Sequence, residues 1–404
     1  MIYQNLALLA LLAFFYSSAS GWFEKTPING ALVYTIFGLV VGSAGLCLFD
    51  LGIDAEGLRV IAEVTLAIVL FSDASGTDFG VLRKHLNLPE RLLLLGLPLT
   101  IVVGFIFGVI LLRDVSFLGL AVLATMLAPT DAALGKAVVS DPAVPAPIRQ
   151  SLNVESGLND GICVPVLLAF LTHAVGAEAE DGLLVHLMIE EIGIGLICGV
   201  IVTTIGVLLL KIAVRCNWVN EIWRQLPVVT LAILCFTTAQ LAGGSGFIAA
   251  FCGGLLFGRV AQKYKVDLEK LMISAEASGD ALSMVTWTIF GAAIVGPSLP
   301  AFTWQVMLYS FLSLTIVRML PVFLCLHGTT LSIPEKLFMG WFGPRGLASI
   351  VFGVIVLNEH LPGGKTIAMT MICTVSLSVI LHGISANPLV KMLAKSKGEQ
   401  GATE

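Results

Sequence analysis

Charge is what this chain of 404 residues has little of. Only 12% of it is Asp, Glu, Lys or Arg, against 57% apolar residues and a mean hydropathy of +0.96. That balance excludes an ordinary water-soluble domain and describes an integral membrane chain. The net charge of −5 is small and spread over loops, which gives a nucleic-acid partner no support. There is no Cys-x-x-Cys, no His/Cys cluster and no His-Glu-x-x-His. The eight cysteines stand singly in apolar segments and read as small hydrophobes, so no disulfide framework, metal centre or resident cofactor is expected. A cation ahead of the first apolar run is missing too. Lys25 follows that run, so the segment ending in Ser17-Ser18-Ala19-Ser20 reads as a first membrane span that starts outside, not as a secretory signal.

What is present is a series of apolar runs near the roughly 20 residues that cross a bilayer. They fall at 4–22, 30–49, 58–75, 92–112, 117–139, 152–174, 190–213, 226–242, 246–261, 276–296, 303–326, 336–357 and 366–388, which predicts about 13 transmembrane helices. With the N-terminus outside, seventeen of the 22 Lys and Arg fall on the cytoplasmic side. Arg59, Arg113 and Lys365 fall outside, where Asp50, Asp54, Glu56, Glu178, Glu180 and Asp181 also lie, and Arg318 and Arg345 lie within spans. The expectation is a multi-pass membrane protein with its N-terminus outside and its C-terminus cytoplasmic. Residues 1–390 would form one transporter unit and 391–404 a short cytoplasmic tail.

Two spans carry a break in the middle. The fifth holds Ala128-Pro129-Thr130-Asp131 and the twelfth Gly343-Pro344-Arg345-Gly346. Proline removes a helix hydrogen bond and glycine permits unwinding, and in lipid the freed backbone groups need partners inside the protein. By the span count the two run in opposite senses, which points to an inverted-repeat transporter with two crossed discontinuous helices and its site at the midplane. Asp131 at one break and Arg345 at the other can offset helix dipoles that meet there.

The sixth span adds Glu155-Ser156 and Asn159-Asp160. Ionisable groups at membrane depth are kept where they line an ion path or meet a partner. Ser156 and Asp160 lie four apart and share a helix face, as do Glu155 and Asn159. A small hard cation wants oxygen ligands, which Asp160, Asn159, Ser156, Thr130 and Asp131 supply. Asp160 can hold a proton or a cation but not both, and that exclusion is enough for exchange. Glu155 and Arg345, each expensive to bury alone, are expected as a structural ion pair, with direct cation binding by Glu155 as the alternative. Arg318 either pairs with an acid or caps unwound carbonyls. Asp73, followed by Asp78, is an interfacial anchor or an accessory site residue. Glu276 and Asp280 form an acidic face at the start of the tenth span. His85 and His327 lie near the cytoplasmic face.

At these residues the sequence resembles the cation/proton antiporter superfamily, in particular bacterial sodium/proton antiporters of the monovalent cation:proton antiporter-1 branch. The resemblance runs through Phe71 to Arg83, Ala128 to Asp131, Glu155 to Asp160, Arg318 and Gly343 to Gly346. It implies a homodimer of thirteen-helix protomers in the bacterial inner membrane, each with a dimerisation domain and a core that moves like an elevator, the core including 58–174 and 276–388. It implies Asp160 as alternating carrier of cation and proton, Thr130, Ser156 and Asp131 as ligands or supports, and Glu155 with Arg345 as the stabilising pair. The Asn-Asp form implies electroneutral one-for-one exchange of Na⁺ or Li⁺, with K⁺ a third candidate, for H⁺. The sequence departs from the pattern at Gly157, where a leucine is usual, at Ala132, where a proline is common, and in the loose match of Phe71 to Gly76.

Three rivals are weaker. Gly243-Gly244-Ser245-Gly246 matches a serine-nucleophile string but sits at a predicted outer hairpin, opposite His327 and His382, so no enzyme is expected. A sensor should carry a signalling domain. A sodium-coupled symporter of a small organic solute shares crossed helices, but it should surround them with more varied polar and aromatic groups.

Overall fold

The structure is a computed structural model that describes residues 2–23, 26, 28–49, 55–77, 79–84, 86–131, 134, 136–139, 141–175, 183–218, 220, 223, 226–263, 268–359 and 361–400. Lys25, Asp50, Asp54, Asp78, His85, Ala132, Glu178, Glu180, Asp181 and the side chain of Arg83, on which the topology and motif readings drew, lie outside the described residues. Every regular element among the described residues is helical. Helices leave no backbone donor or acceptor facing lipid, so this is what an apolar chain of such hydropathy is driven to form.

The main helices are α1 (Ile2–Phe23), α2 (Gly30–Val41), α3 (Ala55–Ser75), α4 (Asn87–Leu111, with a π-helical turn at Leu92–Gly96), α5 (Phe117–Met126), α6 (Ala146–Ala174) and α7 (Leu183–Arg215). They continue with α8 (Pro227–Leu241), α9 (Gly246–Lys263), α10 (Leu268–Ile289), α11 (Trp304–Cys325, with a one-residue kink at Thr315), α12 (Ile333–Trp341), α13 (Leu347–Asn358) and α14 (Gly364–Gln400). Seven helices among the described residues are long and apolar enough to cross a membrane, and five more are apolar but shorter. α3 falls outside both groups because it carries Glu56, Arg59, Glu63 and Asp73.

Helix ends follow local chemistry. Ser116 starts α5 by accepting from the Gly119 amide. Ser332 and Glu335 form a capping box at α12, with the Ser332 amide donating to the Glu335 carboxylate. Several bounds differ from the sequence reading. α2 stops at Val41, where Gly42 turns the chain and the amides of Leu48 and Phe49 return to the Val41 carbonyl, so 42–49 is not helix. α6 starts at Ala146, six residues before the expected 152, because Pro147 is well placed in a first turn. α14 runs through Pro388 to Gln400, so most of the expected tail is a continuation of the last helix.

α3 is held inside the molecule against α8, α9, α10 and α13. On α9, a Cβ at Gly254 or Gly258 would overlap the carbonyls of Phe71 and Ser75 on α3. The small-residue face therefore packs helices within one chain. Gly157 on α6 has a similar reason. A Cβ there would overlap the ring of Phe251, which fills the space a leucine would take.

Candidate functional site

α5 unwinds after Met126, and α12 unwinds from Phe342 to Gly346 before α13 begins. The two breaks bond to each other. The Asp131 amide donates to the Pro344 carbonyl at 2.8 Å. Asp131 Oδ2 accepts from the Leu347 amide at 2.9 Å and caps the N-terminus of α13. In return Arg345 Nη1 donates to the carbonyls of Ala128 and Pro129, at 2.6 and 2.9 Å, and caps the C-terminal end of α5. An acid thus meets a helix N-terminus and a base a helix C-terminus, as the dipoles require. The Gly-Pro-Arg-Gly string has a steric reason as well. A Cβ at Gly346 would overlap the Asp131 carboxylate, and one at Gly343 would overlap the Arg318 guanidinium.

α6 clamps the first break from the side. Ser156 Oγ donates to the Thr130 carbonyl at 2.6 Å, and Asn159 Nδ2 donates to Thr130 Oγ1 at 2.9 Å. The Thr130 amide donates back to Asn159 Oδ1 at 3.4 Å. A cavity of about 20 Å³, the size of one water or bare ion, touches Thr130, Asp131 and Ser156 under Phe342 and Pro344.

The expected Glu155–Arg345 pair is corrected. Arg318 grips Glu155 in a two-pronged salt bridge, Nη1 to Oε1 at 2.5 Å and Nη2 to Oε2 at 2.8 Å, with both side chains 1% exposed. The planar fork of a guanidinium matches a carboxylate, and α11 presents Arg318 squarely to it. Arg345 is committed to carbonyls instead. The two arginines divide the tasks of pairing and capping, in the opposite order to that expected of Arg345.

Asp160, one turn further along α6, is fully buried. Among the described residues, neither of its carboxylate oxygens accepts a hydrogen bond. The buried centre therefore holds three carboxylates (Asp131, Glu155 and Asp160) and two guanidiniums (Arg318 and Arg345), each no more than 3% exposed.

Asp73 is not part of this centre. It lines a cavity of about 610 Å³ at the end of the molecule where α14 carries Gly383 and Asn387. Asp141, Glu276 and Asp280 line the same cavity, and among the described residues no Lys or Arg does. Asn153 on α6 holds the end of α3 nearby by donating to the Asp73 carbonyl at 3.1 Å. His327 serves as an acceptor, its carbonyl taking a hydrogen bond from Arg91.

The span expected at 366–388 is α14, but the polar row along it was missed. Thr366, Thr370, Thr374, Ser378 and His382 recur every fourth residue, and the last four are buried. Ser378 Oγ accepts from the Arg345 amide at 2.7 Å, and His382 Nε2 meets the Trp341 carbonyl at 2.9 Å. Ser349, also missed, donates to the Met126 carbonyl at 3.2 Å. The spacing of four in an apolar span was the available signal.

The family model for "Sodium/hydrogen exchanger, transmembrane" matches residues 9–392. A Na⁺/H⁺ antiporter of Schizosaccharomyces pombe is 24% identical, over 91% of this chain and 85% of that protein. A probable Na⁺/H⁺ antiporter of Methanocaldococcus jannaschii is 23% identical, over 93% of each. A K⁺/H⁺ antiporter of Shewanella oneidensis is 23% identical over 89% of this chain, which spans 62% of that relative's length. In fold, the chain superposes on the solved sodium proton antiporter MjNhaP1 from Methanocaldococcus jannaschii with a TM-score of 0.73 at 20% identity, covering 97% of this chain and 98% of that one. The chain belongs to the sodium/hydrogen exchanger family.

Proposed function

We propose that this protein exchanges one monovalent cation, Na⁺ or Li⁺ with K⁺ a third candidate, for one H⁺ across a membrane, and that Asp160 binds the two in turn. The observation that carries the reading is the Asp160 carboxylate, buried and accepting no hydrogen bond among the described residues. Every other charge of the centre has a partner. Glu155 is taken by Arg318, the Asp131 carboxylate caps α13, and Arg345 caps α5.

The charge inventory supports one-for-one exchange. Three carboxylates against two guanidiniums leave the centre at −1 when Asp160 is ionised, so one H⁺ or one monovalent cation neutralises it. An uncompensated charge in a low-dielectric interior is costly, so the loaded centre changes its access more readily than the empty one. Coupling follows from that difference. Ser156, Asn159 and Thr130 fix the geometry of the break, and the oxygens of Thr130, Ser156 and Asp131 stand at the small cavity as candidate ligands. Na⁺ as cargo suits such hard oxygen donors. The acidic cavity lined by Asp73, Glu276 and Asp280 supports cation entry from the end where α14 finishes, which is the cytoplasmic end if the N-terminus lies outside. A homodimer, and a core of 58–174 with 276–388 that moves within the unit 1–390, belong to the same reading. For a symporter of organic solutes, a space of about 20 Å³ at the crossing is too small for the cargo.

Proteoliposomes with an imposed pH gradient and clamped membrane potential test the reading. Addition of Na⁺, Li⁺ or K⁺ is expected to move protons in the wild type and not in Asp160→Asn, at a rate independent of the clamped potential. Folded protein that moves no protons with any of the three ions would overturn it.

A further inference from the structure

A second cavity, of about 880 Å³, lies at the opposite end of α14 from the acidic one. The last residues of α4, the turn ahead of α11 and the first residues of α14 enclose it. Its charge is the reverse of the acidic cavity's. Arg113 and Lys365 both line it, and neither takes part in an ion pair among the described residues. Its carboxylate, Asp114, is turned to the Thr366 hydroxyl. Arg59 lies towards the same end, where its neighbour Glu56 accepts from Asn358, and it is bound by Glu56 and Glu63. The two cations without such neighbours thus converge on one cavity.

Two further features favour an anion there. α11 and α14, of 22 and 37 residues, both begin at the cavity and bring the positive ends of their dipoles to it. The wall is also partly apolar. Ile110 and Trp304 line it while standing 56% and 65% exposed, and the exposed apolar flank continues along α4 and α11 through Ile106, Met307 and Phe311. An inorganic anion has no use for that flank, whereas acyl chains do. Trp304 is the residue type that sits at a membrane–water boundary.

We propose that this cavity binds the phosphate headgroup of an anionic phospholipid, with Arg113 and Lys365 as its charge partners and the acyl chains laid along α4 and α11. An occupant there touches α4, α11 and α14 together, and so bridges helices that carry or brace the crossing.

The test uses the full chain purified in detergent and mixed with equal amounts of phosphatidylglycerol and phosphatidylcholine of identical acyl chains. Native mass spectrometry then counts the lipid retained. Phosphatidylglycerol is expected to be preferred by about tenfold, since each basic residue near the surface attracts anionic lipid. Arg113→Gln/Lys365→Gln is expected to lose the preference, while Arg59→Gln, which removes a charge from the same end, keeps it. The single variants Arg113→Gln and Lys365→Gln, each expected to lose about half of the preference on a logarithmic scale, decide the matter if the double variant does not fold. Millimolar inorganic phosphate should leave the bound lipid in place, and its displacement of the lipid would assign the cavity to a small anion and overturn the proposal. Equal retention of both lipids by the wild type would overturn it too, as would an unchanged preference in the variants.

Discussion

Glu155 and Asp160 sit five residues apart on α6, both carboxylates, both buried, and the protein treats them in opposite ways. Glu155 meets a guanidinium along both of its oxygens. Asp160 meets no hydrogen-bond donor among the described residues. A buried carboxylate with a two-pronged partner has no reason to change its state, because losing the partner leaves two groups stranded. One without a partner binds whatever positive charge reaches it. Burial is common to the two, so burial alone identifies neither role. What separates them is how completely the surrounding chain has answered each charge.

The sharpest way to break the comparison is to neutralise each acid in turn. Asp160→Asn is expected to lower cation-driven proton flux at least about 100-fold, the loss expected of a group that acts as the carrier itself. Its unfolding temperature in detergent should match or exceed that of the wild type, because an uncompensated buried charge is gone. Glu155→Gln should do the reverse and act mainly on folding. It strands Arg318, a loss of about 3–5 kcal/mol by analogy with other buried pairs. Adding Arg318→Met to it should recover most of that stability, which thermal unfolding of the single and double variants would read. If Glu155→Gln folds normally and only stops transport, the division of roles fails.

Smaller changes sharpen the picture at the crossing. Gly346→Ala puts a methyl group against the Asp131 carboxylate, with an expected loss of about 1–3 kcal/mol from overpacking, measurable as a lower unfolding midpoint together with slower exchange. Ser156→Ala removes the hydroxyl that holds the Thr130 carbonyl, at about 1 kcal/mol. Its signature should be a several-fold higher KM for the cation with little change in maximal rate, since the clamp sets geometry and does not carry charge.

Much of this was legible in the sequence, for identifiable reasons. Pro129 and Pro344 declare interrupted helices because proline in a membrane span frees backbone groups that lipid cannot satisfy. Asp160 declares itself because an ionised group in an apolar run is expensive. The partner of Glu155 was not legible in this way. Two arginines lay in later spans, and helical periodicity says which residues share a face of one helix, not which of two distant helices faces it. The choice of Arg318 depends on packing across 163 residues of chain. Gly157 looked like a departure from pattern and is a packing exchange, its missing side chain replaced by the Phe251 ring from α9. The polar row from Thr366 to His382 was readable in principle. Threonine and serine bond to their own helix in apolar spans so readily that a row of them attracts little notice, and only Ser378 on the Arg345 amide and His382 on the Trp341 carbonyl give the row its purpose.

The proposed exchange of one proton for one cation at Asp160 can be tested without any membrane. Purified protein in weakly buffered detergent, with a pH indicator present, is given Na⁺, Li⁺ or K⁺ in turn. Binding should release one proton per protomer at saturation in the wild type and none in Asp160→Asn, and lowering the starting pH should raise the cation concentration needed. Cation binding that releases no proton from the wild type, or the same release from Asp160→Asn, would contradict the assignment of both ions to one carboxylate.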